Sequence, residues 1–207
     1  MTETGFSLAT LAAMAGDIEQ GVDELESEEE LDPRAAAERD ARRRAALAQI
    51  RQYPDPALRM RANEVEEFDE ALARLAVKMA DLMREAHGIG LAATQIGVLQ
   101  RLFVFQREGE EEPTALVNPR IVERGSETDV LDEGCLSLQR VHVPVERATS
   151  LVLEAQDLAG GELRLELEDM DARVAQHELD HLDGVLMLER TDPASRREAI
   201  ATLRRNL

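Results

Sequence analysis

Two histidines four residues apart, His177 and His181, bracket Glu178 in the run Gln176-His177-Glu178-Leu179-Asp180-His181. On a helix, side chains at i and i+4 share one face, with Cβ atoms about 5 to 6 Å apart. That is close enough to hold one cation at ligand distances of about 2.1 Å. Glu178 then lies beside the pair, free to move protons. An amphipathic surface helix would give the same letters without chemistry, but with four His in 207 residues the spacing favours a metal. Two imidazoles leave an ion under-coordinated, so a third ligand is expected elsewhere. The single cysteine, Cys135, is the candidate, in Glu133-Gly134-Cys135-Leu136-Ser137, where Gly134 permits close backbone approach and a thiolate can bind a divalent ion. A lone cysteine is otherwise a small buried hydrophobe. A third segment, Gly88-Ile89-Gly90-Leu91-Ala92-Ala93-Thr94-Gln95, combines small residues with an amide that can donate two hydrogen bonds. Taken alone, it is equally a tight helix-to-strand connection ending in a polar surface residue.

Together the three segments, in this order, resemble the signature motifs of the peptide deformylase family. Tyr53-Pro54-Asp55-Pro56, followed by Leu58-Arg59, resembles that family's usual opening. The resemblance spans about residues 50 to 190 and leaves out the first 50. It implies that Cys135, His177 and His181 are metal ligands and that Glu178 is general base and acid. Gln95 and the backbone N–H of Leu136 become donors to the oxyanion. Ile89, Gly90, Val174 and the chain around Glu133 would line the slot for a methionine side chain, with Met170 a weaker candidate. Arg140 would contact the peptide, although a solvent-facing arginine fits its position as well, because the segment after the cysteine motif is shorter than the family's usual one. The implied reaction removes the formyl group from the N-terminal methionine of newly made proteins and releases formate. The implied cofactor is one divalent ion, Fe(II) in the cell, with Zn, Ni or Co able to take its place. Three protein ligands leave a fourth position for water, whose pKa a cation lowers toward neutrality.

These groups need elements to hold them. Tyr53-Pro54-Asp55-Pro56 signals a turn. Leu72, Leu75, Ala76, Met79, Leu82 and Met83 recur at three and four residues, which predicts a helix from about Asp69 that Gly88 stops. Strands are expected over 102–105, 116–122, 150–155 and 162–168, the last two joined by a hairpin at Gly160-Gly161. His142 alternates with Val141 and Val143 as a strand residue without catalytic duty, and His87 ends a helix. The motif helix should begin near Asp169 and end at Gly184, and a last helix should start after Pro193. This order predicts an α+β fold, with antiparallel or mixed strands packed around a central metal-binding helix.

Residues 1–50 read as an acidic, partly helical or disordered extension, and 51–207 as the catalytic domain. The core must be built from aliphatic residues and methionine, since 43% of the chain is apolar and only 2% aromatic. A net charge of -19 argues against general nucleic-acid binding. One cysteine cannot form an internal disulfide, no secretory signal is recognisable, and no apolar run reaches membrane-spanning length. A cytoplasmic monomer is therefore expected. Its partners would be N-formylmethionyl nascent peptides, with a transient ribosome contact through the arginines of the C-terminal helix. A zinc peptidase is the alternative enzyme, although no His follows His181 to complete its usual ligand set. A non-catalytic binder of nascent chains is the other alternative, and the presence of Glu178 and Gln95 speaks against it.

Overall fold

The computed structural model describes residues 33–205. By contacts the chain divides into Met1–Arg42 and Arg43–Leu207. Of the first unit, residues 33–42 are described, and they are helical. The expected tail over residues 1–32 lies outside the described residues.

Helix α1 spans Pro33–Leu47 and lacks an apolar stripe until its last turn, where Ala46 is fully buried. Ile50 follows into the same core, and Leu47 packs against it. The compact unit therefore begins before residue 51, which corrects the expected boundary. The Ala/Arg/Glu composition of the helix hides its few apolar residues.

Helix α2 (Glu70–Glu85) begins where Asp69 accepts the amide of Leu72 at 2.9 Å. It buries Leu72, Ala76, Met79, Leu82 and Met83. His87, at φ 60, supplies the left-handed residue at its end, and Gly88 then returns an N–H to Met83. The left-handed position thus falls one residue before the expected glycine.

Seven strands follow: β1 (Gly90–Ala92), β2 (Leu102–Phe105), β3 (Thr114–Arg124), β4 (Thr128–Gly134), β5 (His142–Ala148), β6 (Ser150–Gln156) and β7 (Glu162–Glu168). Five form an antiparallel sheet in the order β1-β2-β3-β6-β7, and β4 pairs with β5 as a separate antiparallel hairpin. At the β6–β7 turn Gly160 adopts φ +85, while Asp157 accepts the amides of Ala159 and Gly161. Helix α3 (Asp169–Leu182) and helix α4 (Pro193–Arg205) complete the chain.

The short strand β2 is buried on both faces, which explains its unbroken apolar run Leu-Phe-Val-Phe. Leu102 and Val104 join the core under α2, whereas Phe103 and Phe105 join the core under α3. The sheet is thereby sandwiched between the two helices. A third cluster joins β5, α4 and Leu186–Leu188. Among the described residues no helix is long and apolar enough to cross a membrane.

Candidate metal centre

Helix α3 is buried along most of its length, so one face meets the sheet and the other must satisfy its polar groups internally. Ala172, Ala175, Leu179 and Leu182 supply the apolar face. Gln176 donates to the carbonyl of Ala148 at 2.9 Å, tying the helix to the end of β5. Thr94 donates its hydroxyl to the His181 carbonyl at 3.1 Å, tying the helix to the turn after β1.

His177 and His181 meet edge to face, with ring centroids 4.9 Å apart. Cys135, just beyond β4, brings its Sγ to 3.2 Å from Nε2 of His181. One ligand atom from each of Cys135, His177 and His181 lies within 4.8 Å of the others. Nδ1 of His177 meets the Glu133 carboxylate at 2.9 Å, an arrangement that keeps the proton on Nδ1 and leaves the Nε2 lone pair for a ligand. A thiol and two imidazoles that converge without an intervening acid suit a first-row divalent ion, so these residues fit the metal implied by the motif.

Glu133 is clamped. Arg147 grips both carboxylate oxygens at 2.9 Å, and Arg173 reaches one at 2.8 Å. Burial alone would raise its pKa, but the hydrogen bonds from His177 and Arg147 prevail and hold it at about 2. Arg147 continues to Asp180 at 2.6 Å, which Arg190 also grips. In the metal-free protein burial also opposes charge on His177, yet hydrogen bonds with Cys135 and Glu133 raise its pKa well above the usual 6.5, so that a bound cation would displace a proton from Nε2. Burial and the neighbouring His177 push His181 the other way.

Glu178 is 3% exposed, and its Oε2 has no hydrogen-bond partner within the fold among the described residues. Burial pushes its pKa up to about 7. It sits against Gly90: a Cβ added there would collide with Glu178 Oε1 and approach Val174 Cγ1 to 2.9 Å. Here glycine is required for space, since close approach of strand to helix is what seats the carboxylate.

Gln95 lies in the 3-10 turn Ala93–Ile96. Its Oε1 accepts the Ala92 amide at 2.8 Å, which aims Nε2 at the site. Nε2 lies 3.2 Å from Ser137 Oγ and 3.7 Å from Cys135 Sγ. The N–H of Leu136 donates to no group among the described residues. Residues 51–53 strap the two loops together: Arg51 N donates to Gln95 O at 2.7 Å, Gln52 Nε2 to Leu136 O at 3.1 Å and Tyr53 N to Ser137 O at 2.9 Å.

The fold therefore gathers Cys135, His177, His181, Glu178 and Gln95, with Gly90 and Val174 beside them. Ile89 is 52% exposed and Met170 45%, whereas Val174 is buried. The Glu133 carboxylate is spent on Arg147, Arg173 and His177, which leaves the backbone around Glu133 as the part that could line a substrate slot. Arg140 is exposed at φ 65 and makes no hydrogen bond or ion pair among the described residues. Sequence reasoning missed Arg147, Arg173, Asp180 and Thr94. One signal was present, since Val143, Val145 and Arg147 share the inward register of β5, where an arginine demands a buried partner.

Residues 47–197 match the family model described as polypeptide deformylase. The chain belongs to the peptide deformylase family. The peptide deformylase of Thermotoga neapolitana is 43% identical over 150 residues, covering 72% of this chain and 90% of the relative. That of Desulforudis audaxviator is 42% identical over 153 residues, covering 74% of this chain and 99% of the relative. The crystal structure of a peptide deformylase from Legionella pneumophila superposes with a TM-score of 0.72 at 38% identity, covering 75% of this chain and 92% of that one. The α+β architecture expected from the sequence is that of the peptide deformylases. Peptide deformylases carry a single catalytic metal, and the Cys135, His177 and His181 cluster fits such a site. Neither the zinc peptidase nor the non-catalytic alternative is favoured by these relatives.

Proposed function

We propose that this chain is a metal-dependent hydrolase that removes the N-formyl group from the N-terminal methionine of nascent proteins and releases formate. The carrying observation is the convergence of Cys135, His177 and His181 within 4.8 Å, with the Gln95 amide 3.7 Å from the sulfur. When bound there, a divalent cation supplies a Lewis acid that lowers the pKa of water and polarises the formyl oxygen. Glu178 takes the proton of the attacking water and returns it to the departing amine as the carbon–nitrogen bond breaks. In the metal-free protein burial raises this carboxyl to about 7, and a buried carboxyl beside the ligands is placed for both duties. Gln95 Nε2 and the Leu136 N–H donate to the formyl oxygen as it gains charge. Ser137 and the Ala92 amide hold the Gln95 side chain in place for that task. Ile89, Gly90 and Val174 flank the methionine side chain, and exposed Arg140 lies within the turn from which a peptide backbone could be held.

Fe(II) is the metal in this reading, because a His₂Cys donor set suits several ions and availability decides among them in the cell; Zn, Ni and Co are the substitutes. Metal analysis of protein purified without oxygen tests it. Formate release from formyl-Met-Ala-Ser, compared with Glu178→Ala and with cleavage of an unblocked peptide, tests the reaction. Formate from wild type alone is the expected result, and peptide-bond cleavage would overturn it. A cytoplasmic monomer that touches the ribosome through α4 completes the reading. Co-sedimentation that survives charge reversal at Arg197 and Arg204 would remove the ribosome contact.

A further inference from the structure

A cleft of about 640 Å³ lies apart from the metal ligands, lined by Arg101, Arg120, Arg124, Arg147 and Arg190. A neighbouring hollow of about 450 Å³ shares Arg101 and Arg120 and adds Arg61. In a chain of net charge -19, five guanidiniums around one cleft, with Arg61 in the adjoining hollow, outnumber the three carboxylates of the cleft lining, Glu146, Asp180 and Asp183. The carboxylates that answer them are divided. Asp183 serves Arg101 at 2.7 Å and Arg61 at 3.8 Å. Asp180 serves both Arg147 and Arg190, while Arg147 is fully answered by Glu133 as well, so the unspent donors belong to the other arginines. Glu154 serves Arg120 and also Arg164. Arg124 pairs with no carboxylate among the described residues, and its hydrogen bond goes to the neutral Gln176 amide oxygen at 2.8 Å.

We propose that this cleft binds a compact, multiply charged phosphate ligand of nucleotide size, at a site separate from the metal centre. Guanidinium forks match phosphate oxygens in pairs, and the divided carboxylates leave N–H donors unspent. The volume falls within the range of small-ligand sites, about 300 to 1,000 Å³. The walls are not wholly polar, since Ile121 and Leu179 also line the cleft and offer apolar surface to a carrier group. The chain's net charge of -19 disfavours a long polyanion. That selects a compact ligand over a nucleic-acid strand.

Calorimetric titration of the metal-loaded full chain with inorganic triphosphate, and separately with adenosine triphosphate, tests the site. The cleft variant is Arg120→Glu with Arg124→Glu, both exposed positions. The control is Arg197→Glu with Arg204→Glu, which changes net charge equally on α4. Wild type and control should bind alike, and the cleft variant should bind at least about tenfold more weakly, the effect of losing one or two charge-assisted hydrogen bonds. Equal affinity for the two probes assigns recognition to the phosphates alone, and tighter nucleotide binding adds the apolar wall. Unchanged affinity in the cleft variant would put the anion on the metal and overturn the proposal. So would equal weakening in the control, no heat from wild type at about millimolar ligand, or tighter binding of a twelve-nucleotide RNA than of triphosphate. Unchanged thermal melting of the cleft variant establishes that it folds.

Discussion

Replacing Glu133 by Gln tests the clamp beneath the metal centre, because it removes one negative charge from between Arg147, Arg173 and His177 while keeping the side chain's shape. The carboxylate accepts three arginine hydrogen bonds and one from His177, and it is 6% exposed. Its pKa lies at about 2 against an ordinary 4.5, and at about 1.4 kcal/mol per unit that depression is worth about 3 kcal/mol. Breaking a buried ion pair independently costs about 3 to 5 kcal/mol. The two figures are of similar size, although the depression also contains the hydrogen bond from His177. The sign follows from proton binding. A carboxyl with a depressed folded-state pKa holds fewer protons folded than unfolded, so its contribution is complete above pH 4.5 and disappears as pH falls toward 2. Urea unfolding of the metal-free protein at pH 7 should show a midpoint lower by about 1 to 2 M in the variant, taking a slope of about 2 kcal/mol per molar. The gap between wild type and variant should close on acidification through that window. Metal affinity should fall by about 10- to 100-fold, since His177 loses the group that orients it. A midpoint shift below about 0.5 M, or a gap that persists on acidification, would refute this account of the clamp.

Glu178→Gln should lower kcat by about 10² to 10⁴ in the metal-loaded enzyme without changing metal content, as read by formate release and metal analysis. In the metal-free protein the same change should raise stability above pH 7 by up to about 3 kcal/mol, because burial raises this carboxyl to about 7 and ionising it opposes folding; the gain should vanish near pH 4.5, and denaturant midpoints at the two pH values check it. Gln95→Leu should reduce kcat/KM by about 10² to 10³ through loss of one oxyanion donor, with melting temperature as the control for folding. Gly90→Ala should cut kcat at least about tenfold by displacing Glu178, and unchanged kinetics would show that the strand gives way instead. Deleting residues 1–50 should lower the melting temperature more than deleting 1–42, because Ala46 and Ile50 are core residues.

The strongly periodic elements were legible before any coordinates. The stripe of α2 and the motif helix show a helical period, and the strands expected over 102–105, 116–122, 150–155 and 162–168 are present, the first as an unbroken apolar run and two of them longer than expected, at 114–124 and 150–156. β1 was not legible, being three residues of Gly-Leu-Ala inside a motif read for its chemistry. β4 was hidden as well, since all of its residues but Glu133 are exposed and its letters show no alternation of apolar and polar. The three candidate ligands could be named because metal chemistry limits the residue types. The clamp could not, because an arginine that orients a carboxylate that orients a histidine has no fixed spacing in sequence. The strap over residues 51–53 works mainly through backbone groups, which any sequence supplies, with only the Gln52 amide adding a side chain, so little in its letters announces it.

That strap has a consequence for how the protein should tolerate change. The spacing between the Gln95 amide and the Cys135 sulfur is referred to a third stretch of chain by three hydrogen bonds, two of them wholly main-chain. Geometry set in this way depends on peptide dimensions more than on how well the aliphatic interior is filled. Conservative trimming of distant interior side chains, such as Leu153→Ala or Leu203→Ala, should therefore erode heat resistance well before turnover declines, leaving endurance and catalysis as separately adjustable properties.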